Sequence, residues 1–167
     1  MDTTTLLSIT AAAVWVFWSV GAYNRLVGLR NELLRCFAPV DEQLRARQAL
    51  LQRWAEGLDD ADEAALQSFR AACQQVEGAG AHARANPSRA GAMTSLRLAD
   101  EILMQARAKL PAAADESLAA AVAEADTTLA FARRQFNEAA QAYNRAVSQF
   151  PTWVLSGLFG FRKAGTL

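Results

Sequence analysis

The sequence predicts an all-α protein: an N-terminal transmembrane helix running into an antiparallel four-helix bundle with two long and two shorter helices. Three observations carry that expectation. Residues Thr3 to Asn24 contain no charged side chain. Beyond them the chain is rich in alanine, and its apolar residues recur at steps of three and four. Glycine and proline then divide this helical pattern into four segments.

The first segment is the anchor, expected over residues 3–24. From Leu6 to Tyr23 it is apolar on every face, and at the helical rise it reaches roughly 30 Å, the thickness of bilayer hydrocarbon. A core helix of a soluble protein would keep a polar stripe. A cleaved signal peptide would want a positive n-region, and only Asp2 precedes the apolar run, although Val20-Gly21-Ala22 satisfies the small-residue rule for a cleavage site. After the span come Arg25, Arg30 and Arg35 against Glu32, so the positive-inside rule puts the C-terminal body in the cytoplasm and the N-terminus outside, in a single-pass inner-membrane arrangement.

The helical body is expected over residues 25–150. Helix one continues out of the anchor with the stripe Leu26, Leu29, Leu33, Phe37, Val40, Leu44, Leu51, Trp54 and Leu58. The stripe keeps its phase across Pro39, which predicts a kink and not a reversal. Helix two is expected from about Asp60, its cap, to Glu77, with Leu66, Phe69, Cys73 and Val76 inward. Three glycines and Asn86-Pro87-Ser88 predict a long loop over residues 78–92. Helix three runs from about Met93 to Lys109 and stops before Pro111. Helix four starts at Asp115 and carries the cleanest seam, Leu118, Val122, Ala125, Leu129, Ala132, Phe136, Ala140, Tyr143, Val147 and Phe150, until Pro151 ends it. Helices one and four then form the long antiparallel pair, with the shorter pair on its membrane-distal part. Helix four ends where helix one begins, so the aromatic and basic tail, residues 151–167, is expected at the membrane surface with Arg162 and Lys163 toward anionic lipid.

Composition narrows the function classes. The chain has 17 basic and 17 acidic residues, which gives no bulk electrostatic case for nucleic acid. The only histidine, His82, falls in the expected loop, and no phosphate-binding glycine motif, paired-cysteine motif or metal-ligand spacing is present. The acidic run Asp59, Asp60, Asp62 and Glu63 reads as helix capping. Cys36 and Cys73 sit on different helices at heights about 12 Å apart, too far for a disulfide. No cofactor, no metal and no catalytic residue is expected, and the chain reads as a non-enzyme.

The residues that look deliberate are polar ones beside the seam. On helix one they are Asn24, Asn31, Asp41 and Arg45, and on helix four Arg133, Asn137 and Asn144. Setting Tyr23 level with Phe150 brings Asp41 near Arg133 and Asn31 near Tyr143 and Asn144. An Asp41–Arg133 ion pair and an amide cluster are therefore expected, since half-buried polar groups must be paired.

The chain resembles the LemA family of bacterial membrane proteins. The resemblance lies in Tyr23-Asn24-Arg25-Leu26-Val27-Gly28-Leu29-Arg30-Asn31 and Val40-Asp41-Glu42-Gln43-Leu44-Arg45-Ala46-Arg47 on helix one. At the other end lie Ala132-Arg133-Arg134-Gln135-Phe136-Asn137, Tyr143-Asn144, Phe150-Pro151 and Gly160-Phe161. The chain departs from the family pattern at Phe136, usually Tyr, at Asp126, usually Glu, and at Leu51-Gln52-Arg53, commonly Ile-Pro-Asn. The middle, residues 57–111, shows little resemblance. The resemblance implies an anchored helical bundle with no reaction attached, and a partner such as a membrane protease. The expectation is a membrane scaffold or adaptor, contacting a membrane or cytoplasmic protein or another copy of itself; the alternative is a lipid- or envelope-sensing module that uses the aromatic tail.

Overall fold

The structure, a computed structural model, describes residues 2–58, 62–112, 115–150 and 152–167. Among them are five helices: α1 (Thr3–Glu56), α2 (Glu63–Ala85), α3 (Ala90–Arg107), α4 (Glu116–Ser148) and α5 (Thr152–Phe159). The protein is all-α among the described residues. Helix α1 is one continuous element of 54 residues that passes through Pro39 without a break. Its N-terminal part is long and apolar enough to cross a membrane, and none of that apolar window is buried in the structure.

Helix α1 lies along α4, and α2 lies along α3. The ring pair Phe37–Phe136, with centroids 5.7 Å apart, and the contact of Arg47 with Asp126 at 3.4 Å fix the direction of the long pair. Ten residues forward on α1 match ten backward on α4, so the pair is antiparallel. This register also sets Tyr23 level with Phe150. Helix α2 runs back along α1: Trp54 meets Phe69 with centroids 6.4 Å apart, Gln48 Nε2 donates to the Cys73 carbonyl at 2.9 Å, and Asp41 meets Arg84 at 2.6 Å. The core is contiguous and draws Leu33, Phe37 and Leu51 from α1, Phe69 and Val76 from α2, Met93, Leu96 and Leu103 from α3, and Leu129, Phe136 and Tyr143 from α4.

Several boundaries differ from the expectation. The expected loop over residues 78–92 is mostly helix. Helix α2 runs on to Ala85 and α3 starts at Ala90, leaving Asn86 to Arg89 as the connection. Gly78 and Gly80 each cost a helix about 1 kcal/mol relative to alanine, but Ala79, Ala81 and Ala85 favour it and Ala83 is wholly buried. Pro87 is what stops α2, because the residue before a proline is pushed out of the helical region. His82 therefore lies on an exposed helical face and not in a loop. The shorter pair consequently reaches the end of the body near Arg30, and is not confined to the far end.

Helix α4 ends at Ser148, and Gln149 is extended with ψ 140. That break swings Phe150 off the seam, where it is 81% exposed and not a core residue. Asp115 caps α4 as expected, accepting from the Ser117 N–H at 2.8 Å. Asp62 caps α2, accepting from the Ala64 N–H at 3.3 Å. The expected cap Asp60 and the helix stop Pro151 lie outside the described residues.

Candidate functional site

Two polar constructions stand out, one inside the body and one where the tail returns. The first fills a gap in the seam. On α1 the apolar steps Val40, Leu44 and Leu51 skip Arg47, which is only 3% exposed. On α3, between Leu96 and Leu103, Asp100 is buried beside Ala99 and is 5% exposed. The two form a buried ion pair through Arg47 Nη2 and Asp100 Oδ1. Asp100 Oδ2 also lies 2.8 Å from Arg133 Nη2 on α4. That approach is off the N–H direction, so it is an ion pair without a hydrogen bond, and Nη2 lacks a hydrogen-bonding acceptor among the described residues. Asp126 on α4 meets Arg47 at 3.4 Å and Arg107 of α3 at 2.7 Å. The Arg107 guanidinium stacks 4.9 Å from the Trp54 ring centroid.

Three guanidiniums thus share two carboxylates. Burial pushes the Arg47 guanidinium below its ordinary range, with the neighbouring Arg133 charge next in weight, and burial does the same at Arg133. The buried Nε atoms of Arg47 and Arg133 find no acceptor among the described residues. The network borders an open cleft of about 670 Å³ between α3 and α4, lined in part by Arg133, Arg134, Asn137 and Gln141.

The second construction is an asparagine clamp. Asn144 Nδ2 donates to the Ala164 carbonyl at 2.9 Å, and its Oδ1 accepts from the Ala164 N–H at 2.7 Å. Asn137 does the same with Leu167, at 2.6 and 2.8 Å. Seven residues of helix rise about 10 Å, the reach of three residues of extended chain, so the two asparagines match tail positions three residues apart. Gly160, at φ 71, turns the chain after α5, and the Phe161 N–H donates back to the Ser156 carbonyl at 3.0 Å.

The other sequence-flagged residues fall around these two. Tyr23 packs against Phe159 and Phe161, at centroid distances of 5.0 and 5.9 Å. Asn24 and Asn31 are exposed. Tyr143 is buried, which raises its phenol above the usual range, against the opposing effect of the Arg30 charge. The expected Asp41–Arg133 pair is not formed. Asp41 faces α2, pairing with Arg84 and Arg45 at 2.6 Å each, while Arg133 turns toward Asp100 on α3. The helices are in the expected register, but these two side chains lie on different flanks of the α1–α4 seam. The expected Asn31–Asn144 cluster fails for a related reason: Asn144 is spent on the tail backbone.

Sequence reasoning missed Arg47, Asp100, Asp126 and Arg107. The available signal was a charged residue at a core step on each of two helices, with opposite signs. It also missed Ala164 and Leu167, which contribute only backbone atoms to the clamp. Among the described residues no group of three or more His, Cys, Asp or Glu is close enough to hold a metal ion.

These features define a class: an all-helical protein with a long apolar N-terminal helix, a charged core network and a strapped tail. The family model for LemA matches residues 37–167, and the chain belongs to the LemA family. The matched span includes residues 57–111, where little resemblance was expected. The Tyr23–Asn31 signature lies outside it. A search of curated proteins gives no match, and neither does a search of solved structures.

Proposed function

We propose that the protein is a non-enzymatic, single-pass scaffold or adaptor of the bacterial inner membrane, with its body in the cytoplasm. The observation that carries this reading is the continuity of α1: one helix is apolar and exposed at its start and a core element of the body from Leu26 onward. We read the two helix pairs as one antiparallel four-helix bundle standing off the bilayer. The Arg25, Arg30 and Arg35 flank supports the cytoplasmic orientation. The charged core network supports a scaffold because it fixes helix register, a recognised use of buried ion pairs.

Two experiments test this. Alkaline carbonate washing is expected to leave the full chain in the membrane pellet; recovery as a soluble monomer overturns the anchor. Crosslinking in intact cells is expected to trap the chain with a neighbouring membrane or cytoplasmic protein, such as a membrane protease, or with its own copies. Recovery of isolated monomer alone counts against the scaffold.

A second reading, lipid or envelope sensing, is favoured by the exposed Trp153, Leu158 and Phe159 on α5. Replacing these three with serine is expected to abolish a membrane-state response while leaving partner capture intact.

A further inference from the structure

Four cations converge on one cleft at the end of the body nearest the apolar start of α1. The cleft holds about 620 Å³ and is lined by Arg30 of α1, Ser88 and Arg89 of the α2–α3 connection, Tyr143 of α4, and Arg162 and Lys163 of the tail. Among the described residues no carboxylate lines it. None of the four cations forms a salt bridge among the described residues.

Neutral contacts hold these like charges together. Phe161, just before Arg162, packs on the Tyr23 ring. Ala164, just after Lys163, is gripped on both backbone groups by Asn144. Gly165 follows, so close to α3 that a Cβ there would meet Ala90 Cα at 2.7 Å. The tail is therefore fixed on both sides of its two cations and set against the start of α3. That helix has no side-chain cap from Arg89 and no acidic residue in its first turn, so its positive end adds to the field. Mutual repulsion of four cations without a carboxylate is unfavourable, and an anion in the cleft offsets it.

Position selects the anion. Arg30 lies two helical turns, about 10 Å, beyond Tyr23, where the exposed apolar stretch of α1 ends. Tyr23 also touches Phe159, which shares α5 with the exposed Trp153 and Leu158. The cleft thus stands at headgroup height beside a span. We propose that it holds the phosphate of an anionic phospholipid headgroup. The proposal rests on reading the start of α1 as a membrane anchor.

The test uses the full chain in neutral detergent micelles, titrated separately with phosphatidylglycerol, phosphatidylcholine and inorganic phosphate, with the thermal midpoint of helix melting as readout. Phosphatidylglycerol is expected to raise the midpoint saturably, and the other two to leave it unchanged. Arg30→Gln and Arg89→Gln are each expected to weaken the response about tenfold, the size of one charge-assisted hydrogen bond. Arg145→Gln removes an exposed cation that does not line the cleft, and is expected to leave the response intact. None of these changes strips a carboxylate of a partner, and each variant's helix content is checked by circular dichroism. Equal responses to the two lipids overturn the proposal. So does an Arg145→Gln loss equal to that of Arg89→Gln, which would mean diffuse charge. Saturation by inorganic phosphate at the same concentration as the lipid overturns the lipid assignment. Micelles need no insertion, so failure here is distinct from failure of the anchor, which carbonate washing reads.

Discussion

Asp100 neutralises Arg47 inside the body and meets Arg133 as well. Asp100→Ala leaves a buried guanidinium without that carboxylate and is expected to destabilise the protein by about 3–5 kcal/mol in denaturant unfolding. Replacing Arg47, Asp100 and Arg133 together by Met, Leu and Met is expected to cost much less, since the three buried charges go at once while Asp126 keeps Arg107. Asn144→Ala removes two hydrogen bonds to the tail and is expected to cost about 1–3 kcal/mol. Its more specific readout is faster amide exchange over residues 161–167. Burial pushes the Cys73 thiol up to about 11 from its ordinary 9.0. At pH 8 it is expected to react with thiol reagents about a hundredfold more slowly in the native than in the unfolded protein. The sign of the linked effect follows: the unfolded state loses this proton first, so stability falls as pH rises from about 9 to about 11. Much of this scale was hidden in the sequence. Asn137 and Asn144 stood out as deliberate, but their partners are backbone groups, which carry no side-chain signature. Asp41 and Arg133 were placed at the right height, but height does not tell which flank a long side chain takes.

At the scale of elements, the sequence was legible wherever an apolar stripe was unbroken. The stripe of α4 from Val122 to Val147 is buried as its spacing predicts, and so is that of α1 apart from the half-buried Leu29. Glycine and proline are weaker guides to where an element ends. Gly78 and Gly80 sit inside α2 because the alanines between and after them, together with the buried Ala83, outweigh their propensity cost. The eight residues gained beyond Glu77 bring Arg84 to Asp41 and Arg89 toward Arg30. Pro39 is tolerated for the same reason: the helix on both sides is held by its buried stripe, and Pro39 itself is exposed. Pro39→Ala restores a backbone donor without touching the core, and is expected to stabilise the protein by about 1–2 kcal/mol, read as a higher melting temperature.

For the whole molecule, the line between the apolar start and the helical body falls near Gly21. The first buried residue of α1 is Leu26, and the Tyr23 contacts to Phe159 and Phe161 lie just before it. A chain lacking residues 2–20 is expected to remain in solution and melt within a few degrees of the full chain, as judged by circular dichroism; loss of its helical fold would mean that the apolar start is part of the core. Helix α1 is continuous for about 80 Å from Thr3 to Glu56 by the helical rise. Its apolar start and its core-forming part thus belong to one shaft. The Arg47–Asp100 lock rides on that shaft some 36 Å above Tyr23 by the same rise. On the proposed reading of the apolar start as an anchor, a disturbance of the lipid around it is carried along α1 to everything packed on the same helix.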